Sequence, residues 1–128
     1  MALEDRTTEL IIGCAYQVHK KLGAGFLEKV YENALRIETE KSGLRVRQQA
    51  PINVLYDGNV VGEYFADLLV DDKVIVELKA VQALTKEHEQ QVVHYLNATG
   101  FEIGLLINFG SSVQVKRKHR LYKPSGQS

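Results

Sequence analysis

Two apolar runs constrain this chain more than any other feature: Phe65-Ala66-Asp67-Leu68-Leu69-Val70 and Val74-Ile75-Val76-Glu77-Leu78-Lys79-Ala80-Val81. Both read as β-strands, yet each carries charge at its centre, Asp67 in the first and Glu77 and Lys79 in the second. Burying a charge costs several kcal/mol or more unless it is paired or bound to a metal. Glu77-Leu78-Lys79 is the only Glu-x-Lys in the sequence, and its neighbours are Val, Ile, Leu and Ala.

Hairpin arithmetic relates the three charges. A three-residue loop, Asp71-Asp72-Lys73, sets Val70 against Val74, Leu68 against Val76 and Ala66 against Leu78, giving one wholly apolar face. The other face then receives Phe65, Asp67, Leu69, Ile75, Glu77 and Lys79, with Asp67 opposite Glu77. Opposed residues have Cβ atoms roughly 4.5–5.5 Å apart, close enough for two carboxylates to share a cation. A two-residue loop would oppose Asp67 to Val76 and mix the faces, which side-chain alternation penalises. The loop lacks the usual glycine, but Asp tolerates the left-handed conformation. Two readings follow: a divalent-metal site, or a cross-strand salt bridge from Lys79 to Asp67 or Glu77.

The 128 residues suffice for one domain that buries a substantial core. With 45% hydrophobic and 25% charged residues the composition is that of a soluble globular protein. The N-terminus does not read as a signal peptide and no apolar run reaches the ~20 residues of a membrane span, so a cytoplasmic location without membrane partners is expected. The lone cysteine, Cys14, sits on a helical stripe and reads as a small core residue. Net charge is zero, but residues 116–123 hold five of the 16 basic residues and none of the 16 acidic ones. The expected organisation is a single domain over 1–128, with a basic C-terminal tail from about 116 suited to phosphate contacts.

Apolar spacing at Leu10, Ile11, Cys14, Ala15, Val18 and Leu22 predicts a helix over 4–22, broken by Gly23-Ala24-Gly25. A second helix is predicted over 26–41, with Phe26, Leu27, Val30, Tyr31, Ala34, Leu35 and Ile37 as its apolar set and Ser42-Gly43 as its end. Strands follow at 44–56, where Pro51 implies an edge or a bulge, and at 60–70 after the turn Asp57-Gly58-Asn59. Next come the strand over 74–81, a helix capped by Thr85 and ending at Gly100, and strands over 101–109 and 113–120. The order α-α-β-β-β-α-β-β implies a mixed sheet flanked by helices.

Two further pairs join the strand charges. Glu28 and Tyr31 lie one turn apart after the glycine-rich break, and Gln91 and Tyr95 share a face of the third helix. The four histidines show no metal-ligand spacing, and no P-loop, GxGxxG or GxSxG is present.

The ordered set Glu28, Asp67, Glu77-x-Lys79, Gln91-x-x-x-Tyr95 resembles the PD-(D/E)xK nuclease superfamily, and its Gln-x-x-x-Tyr helix resembles the RecB-like branch. Gly25-Phe26-Leu27-Glu28-Lys29-Val30-Tyr31 is similar to the hallmark of the small GxxExxY proteins grouped there. The resemblance covers about residues 8–120. It implies a restriction-endonuclease-like α/β fold and a Mg²⁺- or Mn²⁺-dependent nuclease acting on nucleic acid, DNA ahead of RNA. It further implies that Asp67 and Glu77 bind metal, that Glu28 completes or orients the metal site, and that Lys79 serves the attacking water and scissile phosphate. Gln91, Tyr95 and Tyr31 would support the site or touch nucleic acid, as would Lys116, Arg117, Lys118 and Arg120. Glu28 stands where many RecB-like nucleases carry His, and Phe65-Ala66 precedes Asp67 where the motif has proline. The alternative is a non-catalytic nucleic-acid- or protein-binding module on the same fold. With no separate recognition domain in the sequence, a homodimer or protein partner could supply added affinity.

Overall fold

The computed structural model describes residues 3–121, which form helices α1 (Leu3–Leu22), α2 (Glu28–Lys41) and α3 (Lys86–Thr99) and one five-stranded sheet. The strands β1 (Val46–Tyr56), β2 (Asn59–Val70), β3 (Val74–Lys79), β4 (Ile103–Phe109) and β5 (Val113–His119) lie in sequence order across the sheet. Only β3 and β4 pair in parallel, joined by the α3 crossover; the other neighbours are antiparallel. The mixed sheet and the order α-α-β-β-β-α-β-β are those of the restriction-endonuclease-like fold. No described helix is long and apolar enough to cross a membrane.

Burial explains why β3 and β4 are nearly continuous apolar runs: both are central strands covered on both faces. On one face Leu68, Val70, Val74, Val76, Leu78, Leu105 and Ile107 pack under α1 and α2, which contribute Ile11, Val18, Tyr31 and Leu35. On the other, Leu69, Ile75 and Leu106 pack under Val92, Tyr95 and Leu96 of α3. Cys14 is a buried core residue of the first layer. Pro51 sits on β1, an edge strand, as its missing N–H requires. Thr85 caps α3 and Gly100 ends it in a left-handed conformation.

The β2–β3 loop is Asp71-Asp72-Lys73, with Val70 opposite Val74 and Leu68 opposite Val76. Asp71 and Asp72 both adopt positive φ, 52° and 51°. The uniform apolar face does not continue to Ala66, however. Ala66 packs with Leu69 and Ile75 on the α3 side, whereas Leu68 packs under α1 and α2. The cause lies across the ladder in β1, where Gln49 has φ 51°. Gln48 still pairs with Leu68 and Ala50 with Ala66, but the intervening Gln49 and Asp67 form no ladder pair. One left-handed residue reverses the alternation of β1 there, and β2 turns over with it.

Three other expectations shift. Helix α2 starts at Glu28, so Phe26 and Leu27 are exposed rather than helical core residues. Val30 and Ile37, also assigned to its apolar set, are exposed. Residues 116–119 of the basic run are the second half of β5, and Lys123 lies outside the described residues.

Gly104 is the tightest point of the α3 layer: a Cβ there would lie 2.7 Å from Val92 Cγ1. Gly104→Ala should lower stability to denaturant by about 1–3 kcal/mol through overpacking. An unchanged urea midpoint would show that α3 can move aside.

Candidate active site

The strand charges meet where β2 parts from β3. Ladder pairing ends at Leu68 and Val76, and two side chains take over the backbone's hydrogen bonding. The Asp67 N–H donates to Glu77 Oε1 at 3.0 Å, and the Leu78 N–H donates to Asp67 Oδ2 at 2.8 Å. Each carboxylate thus caps the backbone beside its partner, fixing both rotamers. Glu77 is 5% exposed. Burial, then the facing Asp67 charge, push its carboxyl up to about 8. Burial likewise raises Asp67, against the opposing pull of the Leu78 N–H.

Lys79 follows on the same face of β3 as Glu77. Among the described residues it has no ion pair or hydrogen-bond partner, so the cross-strand salt bridge is not formed. Its charge is nevertheless near enough to act on Glu28, Asp67 and Glu77. Glu28, at the start of α2, is raised by burial and then by Asp67, which places it facing the pair. Among the described residues no three His, Cys, Asp or Glu side chains converge tightly enough to enclose a metal ion.

On α3, Gln91 Nε2 donates to the Tyr95 hydroxyl at 2.9 Å. The Tyr95 hydroxyl is pushed up to about 12 by burial and the neighbouring Glu77 charge, so it stays protonated beside the carboxylates. Tyr31 is elsewhere: fully buried, it donates to Gly23 O at 2.6 Å, accepts from the Phe26 N–H at 3.2 Å, and stacks on Phe109. It holds the glycine turn and has no surface to offer nucleic acid.

Three residues were not singled out from the sequence. Glu32, one turn after Glu28, is 2% exposed and accepts from Gln48 Nε2 at 2.8 Å and from Gln49 Nε2 at 3.1 Å on both oxygens. Gln49 Nε2 also reaches Asp67 Oδ1 at 3.3 Å. The available signal was two consecutive glutamines early in a strand, with Glu32 spaced i, i+4 from Glu28.

A family model described as the PD-(D/E)XK nuclease superfamily matches residues 5–120. This chain belongs to that superfamily. Among solved structures, SSO0001 aligns with a TM-score of 0.54 at 16% identity, covering 94% of this chain and 61% of that one, a likeness of fold. An alkaline exonuclease (LHK-Exo) from Laribacter hongkongensis aligns with a TM-score of 0.48 at 15% identity, over 94% of this chain and 72% of its own. The chain thus spans less than two thirds of the length of SSO0001. No curated protein matches it.

The donor set of this superfamily member suits a hard divalent cation. Asp67 and Glu77 offer only oxygens, and each oxygen that accepts one backbone or amide hydrogen keeps a second lone pair. Mg²⁺ is ordinarily held by one or two carboxylates together with substrate phosphate, so a closed cage of three side chains is not required.

The basic run divides between the two faces of β5. Lys118 Nζ pairs with Glu89 of α3 at 3.0 Å, whereas Arg117 Nη2 donates to Thr8 Oγ1 of α1 at 3.0 Å. Arg120 has a buried side chain held by Gly100 O and Glu102, which removes it as a phosphate ligand. Lys116 is exposed and lies in the cross-sheet row Glu77, Leu106, Lys116. Two strand spacings put its backbone roughly 10 Å from that of Glu77.

A carboxyl raised in the folded state favours folding most below its unfolded value and loses that contribution as pH rises toward the folded one. For Glu77 the window runs from its ordinary 4.5 to about 8, and the raised Asp67 and Glu28 act in the same direction. The metal-free protein should therefore melt at a lower temperature at about pH 8 than at about pH 5. Glu77→Gln, which mimics the protonated acid, should flatten the difference. A wild-type melting temperature that climbs over this interval in EDTA would contradict the assignment.

Proposed function

We propose that this chain is a divalent-metal-dependent nuclease of the RecB-like, GxxExxY group, hydrolysing phosphodiester bonds in DNA ahead of RNA, from a single domain. The observation that carries the reading is the unpaired Lys79 beside two interlocked carboxylates, Glu77 buried and Asp67 half-buried. A structural ion-pair network would pair that lysine; a hydrolytic site needs it free for the substrate.

In this reading Asp67 and Glu77 hold Mg²⁺ or Mn²⁺ and Glu28 steadies the open side of the site. A metal held there would supply Lewis-acid activation of the attacking water near neutral pH and would offset phosphate charge. Lys79 places its ammonium against the scissile phosphate, where it stabilises the negative charge that grows as the bond to the leaving oxygen breaks. The Leu78 N–H holds one oxygen of the Asp67 carboxylate in place, so little reorganisation accompanies the reaction. Gln91 and Tyr95 floor the site from α3, the Tyr95 hydroxyl remaining a neutral donor beside Glu77. Lys116, on the same face, contacts a flanking phosphate of the substrate.

The test is cleavage of single-stranded, duplex and branched DNA and of RNA with Mg²⁺ or Mn²⁺, against an EDTA control. Lys79→Ala should lower kcat by about 10²–10³-fold with little change in KM, and Asp67→Asn should abolish both cutting and Mn²⁺ uptake. Cutting that persists in EDTA or in Lys79→Ala would sink the assignment; faster cutting of RNA would overturn the DNA preference.

Lys116→Ala should weaken nucleic-acid binding evenly across sequences and reduce the salt slope by about 1. Arg120→Ala should instead lower the melting temperature. An unchanged salt slope in the Lys116 variant would remove β5 from the substrate path.

A further inference from the structure

We propose that Gln49, held in a left-handed backbone by Glu32, is a positioning residue that aims the Asp67 carboxylate at the divalent cation. This rests on the metal-site reading above and adds to it two residues with no direct part in the chemistry.

The amide nitrogen of Gln49 serves three carboxylate oxygens. One hydrogen is shared between the two oxygens of Glu32, each 3.1 Å away, and the other points to Asp67 Oδ1 at 3.3 Å. Both partners are acceptors, so an amide NH₂ is the neutral group that can bridge them. Glu32 is itself buried and held: 2% exposed, ion-paired to Lys29 at 3.1 Å and bonded by Gln48 at 2.8 Å. The support therefore runs from α2 through Glu32 and Gln49 to Asp67, whose other oxygen is fixed by the Leu78 N–H. With one donor on each oxygen the carboxylate cannot turn, and its remaining lone pairs face a fixed direction.

The backbone at residue 49 supplies an independent reason. Its φ is 51°, in the middle of β1, where an unbranched side chain longer than Asn is disfavoured. Glycine or asparagine would suit that conformation better. Asparagine is one methylene too short to span Glu32 and Asp67. A glutamine here gives up backbone comfort for reach, which is the pattern expected where local strain serves a site.

Gln49→Asn and Gln49→Gly separate the two roles, because both relax the backbone while removing the bridge. In the full-length metal-free protein each should melt at the same or a higher temperature than wild type. Calorimetric Mn²⁺ affinity should nevertheless fall by about 10-fold, and amide exchange at Leu78 should quicken, since its acceptor has been loosened. Gln48→Ala, which removes a bond to Glu32 but none to Asp67, should leave both within about twofold of wild type. Wild-type Mn²⁺ affinity with unchanged Leu78 exchange in a stable Gln49→Asn protein would overturn the inference. A wild type that takes up no Mn²⁺ would overturn the metal site instead, and Leu78 exchange alone would then confirm or refute the hold of Gln49 on Asp67.

Discussion

The reciprocal capping of backbone by Asp67 and Glu77 is the interaction on which the arrangement depends. Where β2 and β3 separate, two N–H groups lose their strand partners, and leaving them bare in a buried setting would cost about 1–3 kcal/mol each. The carboxylates satisfy both, so the strands diverge without an unpaired donor. The same fork buries Glu77 and sets Asp67 against it, and burial first, then that facing charge, push its carboxyl up to about 8. Fold and reactivity have one origin: the fork is stable because the carboxylates are there, and the carboxylates are perturbed because the fork confines them.

Helix α2 must be held at a set height for Glu28 and Glu32 to face this fork, and the glycine turn before it does so. Gly25 has φ 104°, open to glycine and strained for most other residues. Three residues on, Glu28 begins the helix; one turn further, Tyr31 reaches back to Gly23 O and the Phe26 N–H. Its ring stacks on Phe109 at the end of β4, with centroids 4.6 Å apart, and His19 stacks on the same phenylalanine while bonding Gly110 O. The spacing of Gly25, Glu28 and Tyr31 thus has a mechanical reading: a turn, a carboxylate at the helix start, and a clamp that ties both to the sheet.

Much of this was legible in the sequence, because period and register are local. The apolar runs of β3 and β4, the Thr85 cap, the Gly100 stop and the three-residue loop all follow from alternation and turn chemistry. The face of Ala66 was not legible, since it depends on the φ of Gln49 in another strand, and glutamine carries no signal for a left-handed conformation. Glu32 was hidden for a related reason: its partners are 16 and 17 residues away, across a helix–strand gap that no periodicity spans. The basic run misled by composition. Strand alternation sends Lys118 to α3 and Arg117 to α1, and burial consumes Arg120, so consecutive charges do not become one surface.

In the proposed reading the electrostatic balance of the site would give a metal a role before any chemistry. Glu28, Glu32, Asp67 and Glu77 are gathered around two ammonium groups, Lys29 and Lys79. Fully ionised, that set is net negative and would repel a phosphodiester. Near neutral pH the raised Glu77 relieves part of the excess by keeping a proton. A divalent cation between Asp67 and Glu77 would displace that proton and bring the charge close to balance, so cation uptake releases a proton and strengthens as pH rises. Lys79, left without a partner by the fold, would in the proposed reading be the positive group that an approaching phosphate meets. On the proposed function, the acidic cluster would disfavour nucleic acid until a cation is in place, because its net charge is negative without one.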